Sequence, residues 1–89
     1  MAVFPSWRRH LGLLVEPTKS LKILGERIRR ARKKIGWSQE ELAFKTEIDR
    51  SYMGGIERGQ YNLSFSKLCT ISRVLKKDLG SLLRGLPED

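Results

Sequence analysis

The sequence has few of the residues that build disulfides, metal sites and catalytic centres. Cys69 is the only cysteine and His10 the only histidine among 89 residues, which excludes an internal disulfide and a cysteine–histidine metal cluster. Serine, histidine and aspartate do not lie near enough to one another to indicate catalysis. We therefore expect no metal, no cofactor and no enzyme activity.

Long apolar runs are also missing. No run approaches the roughly 20 residues that cross a bilayer. The first residues, MAVFPSWRRHLGLL, lack the order of charges and apolar core that marks a signal peptide. We expect a cytoplasmic protein without a membrane partner.

Acidic residues are outnumbered, 10 against 18 basic residues, which gives a net charge of +8. Division after Ser20 leaves +6 on the larger segment, so the charge belongs to the main domain and not to a tail. Such a charge favours nucleic acid or another anionic partner, and a solvated basic face is the alternative. The length and the 39% of apolar residues allow one small core, which we expect to be all-α.

Three helix starts carry the same local signal, a polar cap between two spaced apolar residues. Ser38 and Glu41 form an S-x-x-E capping box, flanked by Trp37 and Leu42. The same spacing recurs around Asp49 and around Ser64. It predicts helices over about 39–46, from 50 to near 58, and over about 65–76.

Apolar spacing predicts the remaining helices. The first runs from Thr18 or Ser20 to Ile35, and the last from Leu79 to about Arg84 after the cap Asp78. The residues expected to face the core are Leu24, Ile28, Ala31 and Ile35 in the first helix and Phe65, Leu68, Ile71, Ser72 and Leu75 in the fourth. The basic face of the first helix, which is either solvated or in contact with phosphate, holds Arg27, Arg29, Arg30, Lys33 and Lys34.

The central stretch SQEELAFKTEIDRSYMGGIERG reads as two short helices joined by a tight turn. Together with LGERIRRAR from Leu24, GWSQEELA from Gly36 and IERG ending at Gly59, it resembles the lambda-repressor-like (Cro and Xre type) family over about residues 21–83. The DRSY run at 49–52, followed by GIER, is most similar to controller proteins of restriction-modification systems.

The resemblance implies a compact five-helix DNA-binding domain with a helix-turn-helix over residues 21–86, followed by a tail at 87–89. Residues 1–20 fall outside it. This segment, with Phe4, Trp7, Arg8, Arg9 and the apolar residues 11–15, is an arm, an extra amphipathic helix or part of a dimer contact.

Several site residues follow from the resemblance. Arg32 and Glu57 would form a structural ion pair, and Gln39 would bind phosphate at the start of the second helix. Further candidate phosphate contacts in the third helix and the loop after it are Tyr52, Arg58, Tyr61 and Asn62, and the alternative for Asn62 is a turn residue bonded to its own backbone. Glu47 stands where many members have glycine, so a left-handed turn there would cost about 1 kcal/mol.

The third helix would read DNA bases from its first residues. Arg50 can donate two hydrogen bonds to guanine, and Ser51 can bond to any base. The alternatives are an ion pair of Arg50 with Glu47 and a second cap for Ser51. Gly54 and Gly55 would let the helix approach the bases closely, with part of the specificity then coming from DNA shape.

The apolar residues at the end of the chain exceed what one small core covers: Leu79, Leu82, Leu83 and Leu86. We expect them to form a homodimer interface, and a place in the monomer core is the alternative.

The sequence thus predicts a sequence-specific transcriptional regulator, a repressor or an activator, that binds a palindromic operator in double-stranded DNA. Activation would need a contact with RNA polymerase, and no sequence feature identifies that surface. The alternatives are a protein-interaction module, such as an antitoxin or assembly subunit, and a nonspecific nucleic-acid binder.

Overall fold

The computed structural model describes residues 18–87, which form five α-helices and no β-strand. The predicted all-α, five-helix architecture is confirmed. In chain order the helices are α1 (Lys19–Ile35), α2 (Gln39–Thr46), α3 (Arg50–Glu57), α4 (Phe65–Leu75) and α5 (Leu79–Leu83). The predicted arm lies outside the described residues except for its last three, of which Thr18 caps α1 and the next two begin it. No helix in the range 18–87 is long and apolar enough to span a bilayer.

Every helix begins at a side-chain cap. Ser38 accepts from the backbone N–H of Glu41, and the Glu41 carboxylate accepts from the backbone N–H of Ser38 at 2.9 Å, so the predicted capping box is confirmed. Asp49 and Ser64 cap α3 and α4 as predicted. A cap of this kind stabilises a helix by about 1 kcal/mol, which fixes the helix starts locally.

All five helices contribute to one core, whose fully buried large side chains are Ile28, Leu42, Met53, Ile71 and Leu82. The packing of α1 on α3 depends on Gly25, because a Cβ there would lie 2.5 Å from the carbonyl oxygens of Ile56 and Glu57. Since real Cβ atoms do not come that close, any larger residue at this position would separate the two helices.

For two residues the prediction of a place in the core is wrong. Ile35 is 45% exposed and Phe65 is 70% exposed, although both lie on the apolar faces of their helices. Ile35 is the last residue of α1 and Phe65 the first of α4. Apolar spacing identifies the face of a helix, but it does not show where along the axis the core ends.

Candidate nucleic-acid interface

The turn between α2 and α3 is left-handed at Glu47, with φ 57° and ψ 35°. Its backbone N–H, and that of Ile48 after it, bond back to carbonyls of the last turn of α2. Asp49 then caps α3 by accepting from the backbone N–H of Tyr52 at 3.1 Å. The turn thus keeps the geometry that glycine would adopt without strain, and a glutamate there costs about 1–2 kcal/mol.

Helix α3 has one buried face and one open end. Met53 and Ile56 are buried in the core, whereas Arg50 and Ser51, the first two residues, are exposed. Within residues 18–87, no ion pair holds Arg50, and the Ser51 hydroxyl makes no hydrogen bond. Neither alternative role, an ion pair of Arg50 with Glu47 or a second cap by Ser51, is therefore seen in this part of the chain. Both side chains are available to a ligand.

The end of α3 is tied to α1 by a buried ion pair. Arg32 donates from Nε to Glu57 Oε2 at 2.8 Å and from Nη2 to Oε1 at 3.0 Å, and its Nη1 donates to the carbonyl of Trp37 at 2.9 Å. The hydrogen bonds to Glu57 raise the pKa of Arg32 above its ordinary value. Loss of either partner would leave a buried charge unpaired, which costs about 3–5 kcal/mol.

Gln39 joins the same network from the first turn of α2. Its Nε2 donates to Glu57 Oε1 at 3.1 Å, and the side chain is half-buried. An amide nitrogen carries two hydrogens, so the second remains to donate outward beside the free N–H groups at the start of α2. The carboxylate of Glu57 therefore sets the direction in which Gln39 presents its other hydrogen.

The neighbouring glycines of α3 are covered by the protein's own side chains. A Cβ at Gly55 would lie 2.1 Å from Cε2 of Tyr61, and one at Gly54 would lie 3.1 Å from Nη1 of Arg58 and 3.2 Å from Oε1 of Gln39. Both residues are buried. The Tyr61 ring accounts for the missing side chain at Gly55, whereas only the ends of two flexible side chains lie beside Gly54. Contact of these glycines with DNA bases stays a prediction.

Tyr61 lies over Gly55 and stacks on Tyr52, with ring centroids 4.2 Å apart and an angle of 12° between the planes. Lys67, in the first turn of α4, places Nζ 5.6 Å from the centre of the Tyr52 ring. Lys67 is not among the residues predicted from the sequence, although its place in the first turn of a capped helix is a signal that could have pointed to it. Arg58 donates from Nε to Gln60 Oε1 at 3.0 Å, and Asn62 is exposed.

These contacts bring most of the predicted DNA-contacting residues onto one surface. We call it the α3 surface, and it comprises Gln39, Arg50, Ser51, Tyr52, Arg58, Tyr61, Asn62 and Lys67. It combines three cations with two stacked phenol rings and several amide and hydroxyl groups. Arginine and lysine bind phosphate, while amide and hydroxyl groups bind phosphate oxygens or base edges.

The C-terminal leucines do not form one exposed patch. Leu82 is 1% exposed in the core of the single chain, so its predicted place in a dimer interface is wrong. Arg27 donates to the Leu82 carbonyl at 2.8 Å, which ties α5 to α1. Leu79, Leu83 and Leu86 are half-buried against the same core.

Comparison with known proteins agrees with this geometry. Residues 28–82 match the helix-turn-helix family. The chain is 38% identical over 60 residues to the control protein C.BamHI of Bacillus amyloliquefaciens, covering 65% of this chain and 74% of that one.

Two solved structures are similar throughout the domain. The restriction-modification controller protein C.AhdI from Aeromonas hydrophila superposes with a TM-score of 0.70 at 40% identity, covering 73% of this chain and 98% of that one. The regulator SinR in complex with DNA gives a TM-score of 0.64 at 41% identity, covering 67% and 97%. Since the match to this family covers residues 28–82, more than half of the chain, and these relatives are regulators and controller proteins, the chain belongs to the lambda-repressor-like (Cro and Xre type) helix-turn-helix family of DNA-binding transcription regulators.

Proposed function

We propose that this protein recognises a palindromic operator in double-stranded DNA as a homodimer, with α3 in the major groove. The observation that carries the proposal is the open N-terminal end of α3, where Arg50 and Ser51 are exposed and make no ion pair or side-chain hydrogen bond within residues 18–87. Recognition helices contact bases mainly from their first residues. The rest of α3 is held rigidly by Met53, Ile56 and the Glu57 ion pair.

In this proposal Arg50 is the principal base reader. Its guanidinium can donate to O6 and N7 of one guanine, a contact worth about 1–3 kcal/mol of discrimination. Ser51 donates to or accepts from a neighbouring base. Since Gly54 and Gly55 carry no side chain, direct contacts per half-site are few, and DNA shape supplies part of the preference.

The remaining residues of the α3 surface would bind the DNA backbone. Gln39 donates its second amide hydrogen to a phosphate at the start of α2. Arg58, Lys67 and the hydroxyl of Tyr52 contact phosphate or sugar, and Tyr61 and Asn62 extend this contact along the loop. Such contacts set register and affinity and carry no sequence information.

The homodimer would form through the half-buried leucines of the C-terminal segment, Leu79, Leu83 and Leu86. A two-fold axis there would place two copies of α3 about one turn of DNA apart, about 34 Å, on an inverted repeat. Whether the bound dimer represses or activates depends on where the operator lies relative to a promoter.

Selection of bound duplexes from a random DNA pool at near-physiological salt tests the proposal. We would compare the wild type with Arg50→Ala and with Arg73→Ala, which removes the same charge from an exposed position of α4 outside the α3 surface. We expect the wild type and Arg73→Ala to enrich the same inverted repeat. Arg50→Ala should tolerate any base at one position of each half-site.

The other results contradict the proposal in distinct ways. Enrichment of an unpaired half-site would argue against the homodimer. Binding that falls steeply with salt but enriches no sequence would indicate a nonspecific nucleic-acid binder. No binding to any duplex, together with a stable protein partner, would indicate an interaction module.

A further inference from the structure

A second basic site lies between α1 and the C-terminal segment. It is an open cleft of about 460 Å³, which we call the α1/α5 cleft, and five cationic side chains line it: Arg27, Arg30, Lys34, Lys77 and Arg84. Its other lining residues are Ala31, Leu82 and Ser81, so no acidic side chain of residues 18–87 lines it. Cations gathered at this density repel one another unless an anion lies among them.

Ion pairs within the described chain leave most of this charge free. Arg30 lies 3.7 Å from Glu26, with 78% of its side chain exposed, so that pair is weak. Arg27 donates to a backbone carbonyl, which neutralises nothing. Lys34, Lys77 and Arg84 are exposed and form no ion pair within residues 18–87.

The α1 residues of the cleft lie on the side of that helix opposite α3. Gly25 and Arg32, seven residues apart on α1, both contact α3. Arg27 and Lys34 are also seven residues apart, and each follows its α3-facing counterpart by two positions, which is about 200° around the helix. A duplex that holds α3 in its groove would therefore lie across α1 from the cleft, which favours a different ligand for the cleft.

The lining also identifies the kind of anion. A small phosphate group would contact only part of this lining, because the cations are on long side chains of α1, of the turn before α5 and of the residue after it. Arg27 and Lys34 alone span seven residues of helix, about 10 Å. Ala31 and Leu82 at the base of the cleft are buried in the core, so its accessible apolar surface comes from the aliphatic stems of the arginines and lysines. An extended ligand with several carboxylates and apolar side chains between them would match both features.

We propose that the α1/α5 cleft docks an acidic segment of a partner protein, in which carboxylates flank leucine-like side chains. Residues 1–17 of the chain are a poor occupant, because they carry two arginines and a single acidic residue. The proposal uses a face separate from base readout. If the docking proposal fails, the proposal of DNA recognition by α3 can still be tested, and the reverse also holds.

A matched pair of charge reversals tests the proposal. Arg30→Glu with Lys34→Glu changes the cleft, while Arg29→Glu with Lys33→Glu makes the same change of charge at exposed positions of α1 outside it. The probe is a short fluorescein-labelled peptide of glutamate pairs separated by single leucines, measured by anisotropy with the full chain. We expect the cleft variant to bind it at least tenfold more weakly than the matched variant, with equal affinity of both for duplex DNA.

A second cleft pair, Lys77→Glu with Arg84→Glu, repeats the test from the opposite wall, and circular dichroism checks that each variant folds. No peptide binding by the wild type, or equal loss in cleft and matched variants, would overturn the proposal. So would a serine-for-leucine peptide or inorganic triphosphate that binds as tightly as the leucine peptide, because the apolar stems of the lining side chains would then be unused. A selective loss of DNA affinity in the cleft variant would assign the cleft to DNA.

Discussion

At the scale of single residues, the two glycines of α3 are equivalent in the sequence but not in the structure. The space beside Gly54 is limited by the ends of two flexible side chains, whereas that beside Gly55 is filled by the ring of Tyr61. Glycine inside a helix costs about 1 kcal/mol relative to alanine. At Gly55 this cost is offset by the stacked ring, whereas only flexible side-chain ends lie beside Gly54.

We predict that Gly55→Ala lowers the free energy of unfolding by about 1–3 kcal/mol, because the new methyl group displaces Tyr61. Gly54→Ala should change it by less than about 1 kcal/mol. Urea unfolding measures both values. In a Tyr61→Ala background, Gly55→Ala should instead stabilise the protein by about 1 kcal/mol, and a loss there of the original size would show that the ring is not the cause.

At the scale of elements, the helix-turn-helix depends on a left-handed residue that is not glycine. Glu47 has φ 57°, and Lys76, which ends α4, has φ 55°. Both helices end by bonding these backbone N–H groups to carbonyls of the last turn, so the strain is local and is balanced by the helix ends.

We expect Glu47→Gly to raise the free energy of unfolding by about 0.5–1 kcal/mol, since relief of the strain exceeds the added freedom of the unfolded chain. Glu47→Ala keeps the Cβ and should give no gain. Thermal unfolding compares the two. Destabilisation by glycine would show that the Glu47 side chain has a stabilising role that its contacts do not reveal.

The start of α2 should carry a pH dependence through its capping box. Hydrogen bonds from the backbone N–H and the hydroxyl of Ser38 lower the pKa of Glu41. A lowered pKa in the folded state adds stability that is present above the ordinary glutamate value of about 4.3 and is lost as the pH falls through the folded value.

The advantage of wild type over Glu41→Gln should therefore be greatest near neutral pH and shrink in acid. Urea midpoints between pH 7 and about pH 3 measure it. Glu40→Gln removes a charge from the same turn without changing the cap. The difference between its urea midpoint and that of the wild type should depend less on pH. Equal pH profiles for the two variants would argue against the cap as the source.

At the scale of the whole molecule, α5 contributes a leucine to the core and also has a place in the proposed homodimer interface. Leu82 completes the core of one chain, while Leu83 is half-buried beside it. Adjacent residues on a helix point about 100° apart, so a short helix on the edge of the domain can serve the core and a partner at once.

We predict that Leu83→Glu leaves the fold intact and shifts the proposed homodimer to monomer, because a carboxylate would be buried at the interface. Leu82→Ala should instead lower the free energy of unfolding by about 2–5 kcal/mol. Sedimentation equilibrium gives the oligomeric state and circular dichroism the fold. A dimer that persists in Leu83→Glu would move the interface away from α5.

Most of the secondary structure could be read from the sequence because its signals are local. A cap and the apolar residues around it lie within one turn of each other, and Ser38, Asp49 and Ser64 mark helix starts where they were predicted. The exposed ends of the apolar faces at Ile35 and Phe65 could not be read in this way. How far the core extends along a helix depends on where the other helices lie.

The candidate site likewise has features that short sequence spacings predict and features that depend on helix packing. The sequence alone determined the family, the five helices and the polar character of the first residues of α3, since these follow from short spacings along the chain. Only the tertiary structure decided that Tyr61 covers Gly55, that Glu57 holds both Arg32 and Gln39, and that Leu82 is in the core. It also gathered the cations of the α1/α5 cleft from α1 and from the residues on either side of α5. Contacts between residues far apart in sequence depend on how helices pack, and no local pattern encodes that arrangement.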